Sequence, residues 1–279
     1  MKNILSKKYE YLNEISKKNI NIYKENDPFP HIIFENFFDK EFLKKVLEEF
    51  PDLSMISKSE KYNSKNEVKL SNNQYKNFSL NTKILIDFLN SKQFLNFLQD
   101  LTSVKEQLIA DPELSGGGLH QIKKGGVLKI HTDFNKHPKF NLDRRLNLLL
   151  YLNENWQESY GGKLEFWDKN MKSAIKKISP DFNKVVIFST NDFSNHGHPE
   201  PLSCPDNLSR KSIALYYFSN GRPDEEINKN FLKNTTRFKN REGHDEVSQK
   251  NEKIKNYFRK FKIYQFLKNI EKKYIRKKK

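Results

Sequence analysis

Apolar residues fall at two different spacings along this chain, and the change comes near Gly116. Before it they recur at three and four residues. Ile4, Tyr11, Leu12 and Ile15 give a weak helical spacing in a polar, lysine-rich stretch over 1–27, which Pro28-Phe29-Pro30 breaks. His31 to Phe34 reads as a short strand. Asp39 is placed to cap a helix carrying Phe42, Leu43, Val46, Leu47 and Phe50, and Pro51 stops it. Residues 54–77, rich in Ser, Asn and Lys, read as a mobile loop. Ile84, Leu85 and Phe88, then Phe94, Phe97, Leu98 and Leu101, predict a second helical pair. After Gly116 the period becomes two. Strands are expected at Leu119–Ile122, Val127–His131, Leu146–Leu152, Lys163–Trp167, Ala174–Ile178, Val185–Ser189 and Ser212–Ser219, with glycine, proline and asparagine turns between them. Many short strands on such turns predict a β fold with flanking helices, a sandwich or a jelly roll. Four segments follow: a polar 1–27, a mainly helical support over 28–110, a β core over 111–221 and an extension over 222–279.

Composition changes this picture little. Apolar residues are 35% of the 279 and include 22 phenylalanines, enough for a sizeable core. No run approaches the roughly 18 apolar residues of a membrane span, and the first residues lack the apolar stretch of a signal peptide. Cys204 is the only cysteine, so no intrachain disulfide can form and a reducing, cytoplasmic setting is expected. Charge is more informative. The net charge is +16, and residues 250–279 carry +11 of it, with 13 Lys and Arg against Glu252 and Glu271. That segment also carries Ile254, Tyr257, Phe258, Phe261, Phe266 and Leu267 at helical spacing, and so reads as a basic amphipathic helix.

The chemistry concentrates between Ile130 and Ser219. On a strand, His131 and Asp133 share one face and Thr132 takes the other. Two imidazoles and one carboxylate can hold three positions on one face of Fe(II) and leave three open for oxygen chemistry. His-any-Asp alone is a weak motif. The third ligand must come from another strand, and His196 and His198 compete for the part. Arg210 leads an apolar strand on which Arg210, Ser212, Ala214 and Tyr216 share a face, which sets a carboxylate-binding guanidinium beside small residues. By the same periodicity Arg145, Asn147, Leu149 and Tyr151 share a face. Tyr151 then either donates to the carboxylate held by Arg210 or packs in the core.

Taken in order, these residues resemble the Fe(II)/2-oxoglutarate-dependent dioxygenases of the prolyl 4-hydroxylase-like branch. The resemblance covers roughly 116–219. It runs through His131-Thr132-Asp133, Tyr151 to Trp156, Gly161-Gly162-Lys163-Leu164, Val186 to Ser189 ahead of His196, and Arg210 leading to Tyr216-Tyr217-Phe218. It implies a double-stranded β-helix with Fe(II) on His131, Asp133 and His196. The same resemblance puts the distal carboxylate of 2-oxoglutarate on Arg210 and Tyr151, with Ser212 beside it. It sets Gln121 near the inner carboxylate, and Asn147, Arg145 and His198 as pocket residues. The implied reaction consumes O2 and 2-oxoglutarate, releases succinate and CO2, and hydroxylates a prolyl residue or a small metabolite, with ascorbate as reductant.

A different class of function starts from the tail. Lysines and arginines interleaved with Tyr, Phe and Ile suit a nucleic acid or an anionic membrane. Nucleobase-repair relatives usually carry a second arginine six residues past the first, where this chain has Tyr216.

Overall fold

The structure is a computed structural model that describes residues 4–227 and 236–247. Four helices lie in the first part of the chain: α1 (Leu12–Glu25), α2 (Lys40–Glu48), α3 (Leu80–Leu89) and α4 (Lys92–Thr102). Two of them start on side-chain caps. The Asp39 carboxylate accepts from the Phe42 N–H at 2.8 Å and caps α2. The Ser91 hydroxyl does the same for Phe94 in α4 at 3.3 Å, and Ser103 ends that helix in the left-handed region at φ 54°. Phe94, Phe97, Leu98 and Leu101 form one buried stripe of α4, against which α1 packs. Phe97 is fully buried among Phe34, Phe37 and Phe94. Replacing Phe97 by alanine is expected to lower unfolding stability by about 3–5 kcal/mol. Denaturant titration checks this, and a loss below about 1 kcal/mol would place the ring outside the core.

Thirteen strands form one curled antiparallel sheet among the described residues. They are β1 (His31–Glu35), β2 (Glu60–Asn63), β3 (Glu67–Asn72), β4 (Ile109–Ala110), β5 (Gly118–Lys123), β6 (Val127–Thr132), β7 (Asp143–Tyr151), β8 (Leu164–Trp167), β9 (Ala174–Ile178), β10 (Lys184–Ser189), β11 (Asn195–His198), β12 (Ser209–Ser219) and β13 (Arg237–Phe238). The order β1-β10-β7-β12-β5 makes one face, and β6-β11-β8-β9 makes the other. β3 joins them by pairing with both β5 and β6. This is the double-stranded β-helix. Alternation assigns the two sides of the larger face. Leu146, Leu148 and Leu150 of β7 and Ile213, Leu215 and Tyr217 of β12 point to the helices and form the main core. Asn147, Leu149, Ser212 and Tyr216 point into the cavity between the faces.

Two segments differ from the sequence reading. Residues 60–72 are not a loop but the β2–β3 hairpin. Its strand period is masked because the positions turned to the cavity, Glu67 and Lys69, are charged and paired with each other at 3.3 Å. β11, the His196 strand, was also invisible, since Asn-His-Gly-His carries no apolar residue to mark a period. Beyond Gly221, residues 236–247 return to the core. β13 pairs with β6, Glu246 bonds Lys129 at 2.9 Å, and Val247 is buried. The basic helix expected over 250–279 lies outside the described residues.

Candidate metal and 2-oxo acid site

β6 carries His131 into the cavity, and Asp133 follows just beyond its end on the same side. β11 runs antiparallel beside β6 with His196 directly opposite His131, so the two rings lie 4.5 Å apart. This close approach needs Gly197, because a Cβ there would fall 2.7 Å from the Leu128 carbonyl oxygen. The His131 Nε2 is 3.6 Å from one Asp133 oxygen and the His196 Nε2 is 3.4 Å from the other. Ligand atoms about 2.1 Å from one ion on adjacent octahedral positions sit about 3 Å apart, so a small closure of this set suits a divalent metal. The tautomers suit it as well. Nδ1 of His131 donates to the Lys129 carbonyl at 2.9 Å and Nδ1 of His196 to the Ser194 carbonyl at 3.0 Å, which leaves each Nε2 with its lone pair inward. All three side chains are buried, and they are the one cluster of this kind among the described residues.

Electrostatics keeps the set in its binding form. Burial alone would raise the Asp133 pKa, but Arg144, His196 and His131 outweigh it and hold the carboxyl well below its ordinary range. The Arg144 guanidinium donates to Asp133 at 3.0 Å, and the Asn147 amide donates to the same oxygen at 2.7 Å. Tyr216 and Phe134, edge to face with each other, both contact Arg144, with ring centroids 3.4 and 4.4 Å from its Cζ.

At the other end of the cavity, Arg210 is buried. Its Nε donates to the Gly162 carbonyl at 2.8 Å and its Nη2 to the Tyr151 hydroxyl at 3.1 Å. Gly162 has φ +75°, and a Cβ there would meet Leu202 at 2.6 Å and the Arg210 Cδ at 3.0 Å. The Gly161-Gly162 turn therefore makes room for the guanidinium it orients. Tyr151 stands behind Arg210, packed with Phe166 and Phe188. Burial raises its pKa against the pull of Arg210, so it is a neutral phenol with a hydrogen of its own to donate. Ser212 lines the cavity between Arg210 and the metal end, and the cavity has a volume of about 200 Å³.

The structure thus brings His131, Asp133, His196, Arg210, Ser212, Asn147 and His198 to one cavity, with Tyr151 immediately behind it. Two expected residues are elsewhere. Gln121 points to the helical side, where it accepts from the Leu53 N–H at 2.8 Å and donates to Ser209 at 3.0 Å. Its neighbour His120 faces the cavity instead. Arg145 is buried but bonds Ser219 at 3.2 Å, Glu226 at 3.3 Å and also Glu106. Arg144 takes the cavity position. The cause is a β-bulge: Leu146 pairs with Tyr217 and Arg144 with Phe218, so β7 carries one extra residue and its alternation flips at Arg145. The visible hint is an arginine pair heading a strand buried on both faces.

The buried histidines make metal-free stability depend on pH. Burial pulls His120 to about 3 and His196 to about 4, and also lowers His31 and His198 from 6.5. Below about pH 6.5 the unfolded chain takes up protons that the folded chain refuses. The stability these groups contribute is therefore complete above that pH and falls as pH drops toward 4. The Tm of the metal-free protein should fall steadily from pH 7 to pH 4.5. A flat Tm over that range contradicts the burial of these rings.

Residues 117–218 match the family model described as the 2OG-Fe(II) oxygenase superfamily. Over 199 residues the chain is 25% identical to mouse (Mus musculus) prolyl 3-hydroxylase OGFOD1, an alignment covering 69% of this chain and 33% of that protein. The chain therefore spans about a third of the length of the curated relatives it matches. A Trichoplax adhaerens prolyl hydroxylase, solved with a hypoxia inducible factor peptide fragment, superposes with a TM-score of 0.55 at 17% identity, covering 76% of this chain and 92% of that one. A prolyl 4-hydroxylase from Phytophthora capsici gives 0.52 at 21% identity, covering 78% and 68%.

Proposed function

We propose, from the premise that residues 117–218 form a 2OG-Fe(II) oxygenase core, that the protein hydroxylates an unactivated C–H bond of a prolyl residue in a protein substrate. The observation that carries this reading is the single cavity with the His131–Asp133–His196 set at one end and Arg210 at the other. Ferrous iron, when bound, supplies the oxygen chemistry, in which 2-oxoglutarate and O2 become succinate and CO2 and one oxygen atom enters the substrate C–H bond. The protein's part is positional. His131 and His196 present Nε2 inward because their Nδ1–H groups are tied to backbone carbonyls. Arg144 and Asn147 fix the rotation of the Asp133 carboxylate. Arg210, oriented by Gly162 and Tyr151, grips the distal carboxylate of the cosubstrate and so sets its keto-acid end toward the metal ligands. Tyr62, Phe134 and Tyr216 line the cavity together with the Glu67–Lys69 pair of the hairpin, aromatic surface against which a peptide can lie.

The prolyl substrate is suggested by the mouse, Trichoplax and Phytophthora proteins above, which are prolyl hydroxylases. Ascorbate as reductant and a reducing cytoplasmic setting belong to the same proposal. The test is succinate release with Fe(II), 2-oxoglutarate and ascorbate against a panel of prolyl peptides and free amino acids. Prolyl peptides should raise succinate formation and gain 16 mass units on the ring (the mass of one oxygen atom). Stimulation by free amino acids alone would move the substrate to small metabolites.

A further inference from the structure

The strand that carries His131 has an outer edge shared by two elements. β3 pairs with Val127 and Leu128, and β13 pairs with His131 and Thr132. Between them the Lys239 N–H donates to the Ile130 carbonyl at 2.8 Å. β13 belongs to residues 236–247, which lie past the family-matched stretch 117–218. An open strand edge is a template for stray pairing. This strap closes it where the metal ligands begin.

Ion pairs fasten the strap to the supports of both histidines. Arg237 pairs with the buried Asp192, two residues before Ser194, whose carbonyl holds Nδ1 of His196. Glu246 pairs with Lys129 at 2.9 Å, and the Lys129 carbonyl holds Nδ1 of His131. Arg241 grips Glu246 through two bonds of 2.6 and 2.8 Å.

So fastened, the strap sets an aromatic ring against a ligand. His196, His131 and Phe238 stand side by side on three adjacent strands. The His131 ring has His196 4.5 Å away on one side and Phe238 5.5 Å away on the other. Two residues before Phe238, and on the same side by strand alternation, Thr236 lines the cavity. Phe238 is half-buried and belongs to no apolar cluster among the described residues, so core packing does not account for its ring. The hydrogen bond at Nδ1 fixes the tautomer of His131 but leaves the ring able to pivot about that bond. A ring on each side blocks the pivot.

We propose that the strap completes the metal site from outside the matched core, and that Phe238 is a positioning residue that holds His131 in its ligating orientation. This rests on the reading of His131, Asp133 and His196 as metal ligands. The test is calorimetric titration of the full-length protein with Mn(II), alongside thermal unfolding. Phe238→Ala should weaken Mn(II) roughly 10-fold, the low end for loss of a ligand's supporting partner. Phe238→Leu, which keeps apolar bulk against the ring, should recover most of that loss. Val247→Ala removes buried bulk from the strap at a residue whose N–H bonds Asn240. It should lower Tm but keep Mn(II) affinity within about twofold. If Phe238→Ala does not fold, Phe238→Val, smaller and suited to a strand, carries the same comparison. Equal weakening by Phe238→Ala and Val247→Ala would mean that the strap acts only through stability, and unchanged affinity in Phe238→Ala would free His131 from the ring. Either result overturns the inference while the metal site stands. A wild-type protein that does not bind Mn(II) sinks the metal reading and this inference with it.

Discussion

Replacing Asp133 by alanine is expected to abolish turnover and to weaken ferrous iron by at least about 100-fold, because losing a ligand must cost more than the 10- to 100-fold typical of losing a ligand's supporting partner. Two imidazoles would remain, opposite Arg144. That guanidinium is about 1% exposed and is held over Asp133 by Tyr216 and Phe134. Without the carboxylate it becomes a buried cation at the mouth of the metal site, which repels a dication and destabilises the fold by about 3–5 kcal/mol. His131→Ala separates the two effects. It removes a ligand but leaves the Asp133–Arg144 pair intact, so iron should be lost with a much smaller fall in Tm. Metal titration and thermal unfolding of the two variants check this. Equal destabilisation would mean that Arg144 is not held by Asp133.

Arg210→Ala is the second large effect. It removes a buried charge-assisted grip on the distal carboxylate and should weaken 2-oxoglutarate by about 2–4 kcal/mol, roughly 30- to 1,000-fold. Iron should bind as before, because Arg210 acts at the far end of the cavity. Tyr151→Phe should cost less, about 1 kcal/mol, since it removes one neutral hydrogen bond and keeps the ring in the cluster with Phe166 and Phe188. The expected signature is a raised KM for 2-oxoglutarate at unchanged iron affinity. An Arg210→Ala protein with ordinary cosubstrate affinity would remove the guanidinium from the account.

The residues that could be placed from sequence are those whose environment follows the local period. α2 and α4 carry their apolar stripe and their caps in the chain itself, and β7 from Leu146 onward and its partner stretch of β12 alternate because one side meets helices and the other the cavity. His131 and Asp133 could be read from ligand chemistry and strand period, whereas His196 was separated from His198 only by the family resemblance. The failures sit where tertiary pairing overrides period. Arg144 and Arg145 exchanged places through one bulge that only the β12 register reveals. Gln121 and His120 differ by one position on β5, and a single step reverses the face of a strand. The β2–β3 hairpin was hidden because strand residues that border a polar cavity are themselves polar.

The most direct test of the central claim, one ferrous ion and one 2-oxo acid sharing this cavity, is anaerobic mixing of the protein with Fe(II) and 2-oxoglutarate while the visible spectrum is recorded. The account predicts a weak charge-transfer band in the wild-type protein that needs both additions and is absent from Asp133→Ala. No band at saturating Fe(II) and 2-oxoglutarate, or a band that survives loss of Asp133, would contradict it.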